Sequence, residues 1–124
     1  MSARILIIDD EYDILQALRG ILEDEGYDVV ACSSARDALG RIREIRPDLC
    51  LVDVMMPYMS GFEVVTTLGD IPEVARVPVI LMSAVRPSPE KLADGRVRTF
   101  LQKPFDLDDL LDKVGQLTTP SLGA

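Results

Sequence analysis

The 124 residues are one domain's worth of chain, and 48 % apolar residues are enough to build a core, which sets disorder aside. A formal net charge of −8 opposes binding to nucleic acid or to an anionic membrane, since either partner needs a basic face. The sequence holds no histidine, which excludes imidazole general-base catalysis, Ser-His-Asp and Cys-His nucleophiles and the usual zinc sites, and leaves carboxylates, hydroxyls, lysine or a bound ion to carry any chemistry.

In chain order, Arg4-Ile5-Leu6-Ile7-Ile8 is an apolar run without polar alternation, as expected of a strand covered on both faces. From Asp13 to Glu25, Ile14, Leu15, Leu18, Ile21 and Leu22 recur at helical spacing, and Gly26 stops the helix. Tyr27 to Cys32 reads as a second strand. Ser33 or Ser34 can cap one helix carrying Ala35, Ala38, Leu39, Ile42 and Ile45, ended by Pro47. Leu49 to Val54 is a third strand, followed by a loop with Pro and Gly and a short helix marked by Phe62, Val65 and Leu68. Val77 to Met82 is a fourth strand, with Pro78 near its start where a missing N–H is tolerable. Between Arg86 and Gly95, Pro87, Pro89 and Gly95 leave room for only a short helix. Val97 to Leu101 is a fifth strand. Asp106 then caps a last helix bearing Leu107, Leu110, Leu111, Val114 and Leu117, with acids in the first turn where the helix dipole favours them.

Strict alternation of strands and helices predicts an α/β fold, a flavodoxin-like five-stranded parallel sheet in the order 2-1-3-4-5 with helices on both faces. Residues 1–118 form the domain and 119–124 a C-terminal tail. Cys32 and Cys50 sit in strand-like runs and are expected as reduced core thiols, a disulfide or redox pair being the alternative. There is no basic and apolar leader and no run near the roughly 20 apolar residues of a membrane span, so a cytoplasmic protein is expected.

Ligands of such a sheet bind at the carboxyl ends of its strands. Strand one ends in Asp9-Asp10-Glu11, strand three in Asp53 and strand four in Ser83, and strand five leads to Lys103-Pro104. Each alone could be a cap, a turn residue or a solvated charge; together Asp9, Asp10 and Asp53 place three carboxylates at one edge with the Ser83 hydroxyl and the Lys103 ammonium. Nearby carboxylates repel one another, and a hard divalent cation such as Mg²⁺ relieves that by joining one or two of them to a phosphate. Phosphoryl transfer needs mainly positioning and charge neutralisation, and a carboxylate can itself be the nucleophile. Asp53, alone on the central strand, is the best placed.

At these residues the chain resembles the response-regulator receiver domains of two-component signalling, from Ile5 to about Leu117. The likeness is carried by Leu6-Ile7-Ile8-Asp9-Asp10-Glu11, by Asp48 through Pro57 with Gly61 closing the loop, by Pro78 through Ala84 and by Phe100-Leu101-Gln102-Lys103-Pro104-Phe105. The resemblance implies that Asp53 accepts a phosphoryl group from a histidine kinase or histidine phosphotransfer protein. It implies that Asp10, Asp53 and the backbone carbonyl of Met55 hold Mg²⁺ (Mn²⁺ able to substitute), with Asp9 supporting the ion through water. Ser83 would hydrogen-bond the phosphoryl group, Lys103 would pair with it, and Phe100 would change rotamer as Ser83 moves, with core packing as the plain alternative for that ring. The Lys103–Pro104 bond would be cis. The domain would catalyse only its own phosphorylation and dephosphorylation and would control an output domain or target protein that these residues do not encode.

The sequence departs from the family pattern at three places. Tyr58 fills a loop position more often small or polar; Met55 and Val85 are both apolar where residue identity tunes acyl-phosphate lifetime; and 86–95 is short and proline-bearing, which argues against inherited dimerisation through that region. Arg86, Arg96 and Arg98 give the same region a positive character, as a solvated surface or a docking face. Competing readings are an aspartyl-nucleophile phosphatase of haloacid-dehalogenase type, which wants a second Asp where Met55 stands, a flavin carrier, which wants a hydroxyl- and Gly-rich loop where Asp9-Asp10-Glu11 stands, and a degenerate receiver acting only as an interaction module.

Overall fold

The structure is a computed structural model that describes residues 2–93 and 95–118. Strands β1 (Arg4–Ile8), β2 (Asp28–Cys32), β3 (Leu49–Asp53), β4 (Val79–Ser83) and β5 (Val97–Gln102) form one sheet in the order β2-β1-β3-β4-β5, every neighbouring pair parallel. Every residue of β3 and β4 is buried, which is why their sequences run apolar without alternation until the last position, Asp53 or Ser83.

Helices α1 (Tyr12–Asp24), α2 (Ala35–Gly40), α3 (Ile42–Ile45), α4 (Gly61–Gly69) and α5 (Leu107–Thr118) cover the two faces. Leu15, Leu18 and Leu22 of α1 and Leu110 and Val114 of α5 pack on Ile5, Ile7, Leu49, Leu51, Ile80 and Met82. Ala35, Ala38, Ile42, Ile45, Val64, Val65 and Leu68 pack on Leu6, Ile8, Cys50, Val52 and Leu81 across the sheet. Side chains alternate between faces along each strand, so one apolar run feeds both layers. Truncating a fully buried leucine such as Leu22 to Ala would cost about 3 kcal/mol.

The caps follow from residue type. Ser34 accepts the Asp37 N–H at 3.1 Å, Ser60 and Glu63 close a reciprocal capping box on α4, and Asp106 Oδ1 accepts the Asp108 N–H at 2.9 Å. The helix expected over 35–45 is in fact two. Arg41 breaks it at φ −113°, ψ 7°, its N–H turned to Ala38 O at 3.2 Å, just after Gly40, a weak helix former. The Arg41 guanidinium is drawn back to Asp37 Oδ2 and Cys32 Sγ, each at 3.2 Å.

The short helix allowed for in 86–95 does not form among the described residues. Ser88 O instead accepts both the Lys91 and Leu92 N–H groups, and Pro89 O and Glu90 O accept those of Leu92 and Ala93, a run of turns in place of a helix. Strand β4 begins at Val79, not Val77, leaving Pro78 ahead of the strand with its carbonyl on the Cys50 N–H. Residues 119–124, expected as a tail, lie outside the described residues. Cys32 pairs in register with Ile8 and Cys50 with Leu6 of the intervening β1. Two strand spacings, about 9.6 Å, separate them, too far for a disulfide, and both thiols are free and buried.

Candidate functional site: an acidic pocket at the carboxyl edge of the sheet

The parallel sheet delivers its strand ends to one edge. Asp9, just beyond β1, is wholly buried, and its Oδ1 accepts the Glu11 N–H at 2.9 Å, which fixes the carboxylate as the chain turns into α1. Asp10 is exposed beside it. Asp53 ends β3 with 2 % of its surface exposed, and its Oδ1 accepts the Met55 N–H at 3.3 Å. One carboxylate oxygen from each of Asp9, Asp10 and Asp53 lies within 4.8 Å of the other two.

Lys103 reaches the same pocket from beyond β5. Its peptide bond to Pro104 is cis, and its N–H donates to Ser83 O at 2.9 Å. Its ammonium lies 2.8 Å from Asp9 Oδ2, 3.3 Å from Glu11 Oε1 and 3.4 Å from Asp53 Oδ1. Ser83, buried at the end of β4, accepts the Val85 N–H on Oγ at 3.1 Å. Phe100 lies on β5 opposite Leu81 and is buried, with the Arg86 guanidinium 5.9 Å from its ring centre. Of the five strand-end groups singled out from sequence, Asp9, Asp10, Asp53 and Lys103 meet side chain to side chain, Ser83 is tied to Lys103 through its backbone carbonyl, and Phe100 pairs with Leu81 on the neighbouring strand.

Burial pushes the Asp53 carboxyl up to about 6, and the Asp9 charge adds to the rise against the pull of Lys103 and the Met55 N–H. Burial alone would lower the Lys103 ammonium, but the Asp9 hydrogen bond and charge, then Asp53 and Glu11, hold it above its ordinary value. Asp9, Asp10, Asp53 and Glu11 gather four carboxylates around one ammonium, so the ionised cluster carries an excess of negative charge. An all-oxygen donor set with that excess, two of its three carboxylates buried, fits a hard divalent cation such as Mg²⁺ and suits neither soft metals nor a neutral ligand.

For three residues the sequence marks the position but not the contact. Glu11 is the third carboxylate on Lys103; it adjoins the Asp pair, yet nothing in its spacing shows that it faces Lys103. Gly61 lies so near β3 that an added Cβ would stand 2.6 Å from Asp53 O. Arg86 reads in the sequence as part of a positive surface or docking face, and the structure sets its guanidinium over the Phe100 ring.

A parallel sheet of this order with an acidic pocket at its carboxyl edge defines a flavodoxin-like signalling fold. Residues 5–115 match the response regulator receiver domain, and the chain belongs to that family. It is 36 % identical to the response regulator MprA of Mycolicibacterium vanbaalenii, over its whole length and 55 % of that protein, so it spans about half of this relative. It is 28 % identical to the polar-differentiation response regulator DivK of Brucella ovis, over 92 % of this chain and 94 % of DivK. Among solved structures, the chemotaxis protein CheY4 of Vibrio cholerae superposes with a TM-score of 0.86 at 31 % identity, over 94 % of this chain and 99 % of CheY4. The receiver domain of a histidine kinase from Syntrophus aciditrophicus gives 0.82 at 28 % identity, over 99 % and 98 %. The family is one of phosphorylation-based signalling domains that act with histidine kinases and output domains and bind Mg²⁺ at an acidic pocket, and is not a family of conventional enzymes. The dehalogenase-type and flavin-carrier readings give way to it. No helix among the described residues is long and apolar enough to cross a membrane.

Proposed function

We propose that the chain accepts a phosphoryl group on Asp53 from a phosphohistidine of a histidine kinase or histidine phosphotransfer protein, in an Mg²⁺-dependent reaction, and that the acyl phosphate shifts the domain to a second conformation that controls a partner or output domain. The observation that carries this reading is the Asp53 carboxylate, buried at the end of the central strand with Lys103 and the Met55 N–H on the same oxygen. A carboxylate so placed has little water around it and is held ready for in-line attack.

An Asp53 oxygen attacks phosphorus while the P–N bond to the donor imidazole breaks; the bonding pair returns to that nitrogen and the imidazole leaves. Asp9, Asp10, Asp53 and the Met55 backbone carbonyl would hold Mg²⁺, or Mn²⁺ in its place. When bound, the ion supplies positive charge against the phosphoryl oxygens and the clustered carboxylates. Lys103 gives up part of its hold on Asp9 to pair with the phosphoryl group. Ser83 turns its hydroxyl from the Val85 N–H to donate to a phosphoryl oxygen, and Phe100 follows by changing rotamer. About 5.5 kcal/mol of differential stabilisation would carry such a pair of states from 1:99 to 99:1. The chain turns over no outside substrate beyond its phosphodonor and water, and a cytoplasmic setting, where kinase and ion are at hand, suits it. Direct contacts with nucleic acid or membrane lie outside this reading.

Intact-mass measurement after incubation with Mg²⁺ and phosphoramidate tests it. Wild type is expected to gain one phosphoryl group, and Asp53→Asn none. No gain by wild type, or equal gain by the variant, would sink the assignment; full gain in the presence of a chelator would remove the ion.

A further inference from the structure

The acidic pocket has an apolar rim. The exposed large apolar side chains among the described residues are Tyr12, Met55, Tyr58, Val85 and Leu107, and every one follows a strand's carboxyl end, in a loop or at the first residue of a helix. Tyr58 stands out most. Its ring is fully exposed, and its backbone is held at φ 69°, the left-handed region that glycine enters freely and a tyrosine enters at a cost. It sits at the tip of a tight turn in which the Met59 N–H donates to Pro57 O at 2.8 Å. Neither burial nor backbone preference accounts for an aromatic ring at that tip.

We propose that Tyr58 is a specificity-determining residue for the protein phosphodonor, its ring packing on apolar surface beside the phosphohistidine, with Met55 and Val85 flanking the contact. The inference rests on the phosphoacceptor reading above. Asp53 is 2 % exposed, so a donor imidazole has to enter the pocket, and the surface around it meets the rim first. That imidazole belongs to another domain or molecule, since this chain has none. Exposed Asp10, Glu11 and Arg86 charge other parts of the rim, but the loop that bears Met55 and Tyr58, residues 54–61, holds no charged side chain, so the surface that Tyr58 fits is apolar. An exposed aromatic ring that loses little side-chain freedom is the kind of residue that anchors an interface. A small phosphodonor brings no protein surface for Tyr58 to pack on.

The test compares two donors on wild type, Tyr58→Gly and Tyr58→Phe. Glycine suits the backbone and deletes the ring, so this variant is expected to melt no lower than wild type; phenylalanine keeps the ring. The donors are phosphoramidate and a panel of radiolabelled, autophosphorylated histidine-kinase cores from the source genome. For the kinase that labels wild type fastest, Tyr58→Gly is expected to lose about tenfold in kcat/KM, mostly through KM, while Tyr58→Phe stays within about twofold and phosphoramidate labels all three alike. Equal loss with both donors, no loss with either, or loss in Tyr58→Phe as well would overturn the proposal. So would a panel that labels no wild type at all while phosphoramidate still does, a result that leaves the phosphoacceptor reading standing. No labelling from phosphoramidate would fell that reading itself, and this inference with it.

Discussion

Gly61 and Asp53 meet backbone to backbone: a Cβ placed on Gly61 would stand 2.6 Å from Asp53 O and 2.9 Å from the Val54 Cα. The Gly61 N–H donates to Val54 O at 3.0 Å, so the first residue of α4 is fastened to the loop that leaves the acceptor aspartate. Neither neighbour is a side chain that could swing aside.

Gly61→Ala is therefore expected to destabilise the fold by about 2 kcal/mol, as overpacking against fixed backbone does, and to slow labelling of Asp53 by displacing it. Gly20→Ala is the matched control. Gly20 is exposed within α1, and its added methyl would meet nothing within 4 Å, so helix propensity alone acts and the change should stabilise by about 0.5–1 kcal/mol. Urea melts of the two variants should move in opposite directions; a shift of the same sign in both would show that the close approach to Asp53 does not govern this position.

The raised Asp53 carboxyl has a consequence for stability against pH. Its ordinary value is 3.8 and its folded value about 6, so between these the folded state holds a proton that the unfolded chain has released. Folding is favoured by this group at low pH, and the benefit is lost as pH rises through that window. With chelator present, Asp53→Asn lacks this loss and should exceed wild type at pH 7.5 by roughly 1–2 kcal/mol, the larger figure being reduced by solvent at the pocket mouth. Mg²⁺ should then raise wild type more than the variant and narrow the gap. Chemical denaturation from pH 4 to 7.5, with chelator and with Mg²⁺, measures both. A constant difference between the two proteins across that range would contradict the shift.

The strands and their order were readable because burial on both faces leaves unbroken apolar runs, and a polar residue closing such a run, as Asp9, Asp53 and Ser83 do, marks the pocket edge. What escaped depends on geometry that no periodicity records. The apolar positions of 35–45 keep helical spacing across the Arg41 break, so α2 and α3 read as one helix. In 86–95 the prolines leave room for a short helix, and neither the turns made on Ser88 O nor the seating of Arg86 over Phe100 has a signature in the spacing of residues. The cis bond before Pro104 was expected only from family likeness, since many X–Pro sequences are trans.

Lys103 offers the sharpest check on the site's electrostatics. Its ammonium lies within salt-bridge reach of both buried carboxylates, Asp9 at 2.8 Å and Asp53 at 3.4 Å. Removing it leaves two buried negative charges facing each other, which costs more than the pair's net contribution to the fold. Lys103→Met, which keeps much of the stem's volume, should destabilise by about 3 kcal/mol at pH 7.5 in chelator. Asp9→Asn placed on top should recover a large part of that loss, because the mutual repulsion disappears with the charge. The coupling in a double-mutant cycle should thus be well above the few tenths expected of independent sites. Mg²⁺ should rescue Lys103→Met more than it stabilises wild type, since the ion supplies the missing positive charge to the same oxygens. Additive effects of the two substitutions, or equal stabilisation of both proteins by Mg²⁺, would mean that Lys103 and the cation do not share this pocket.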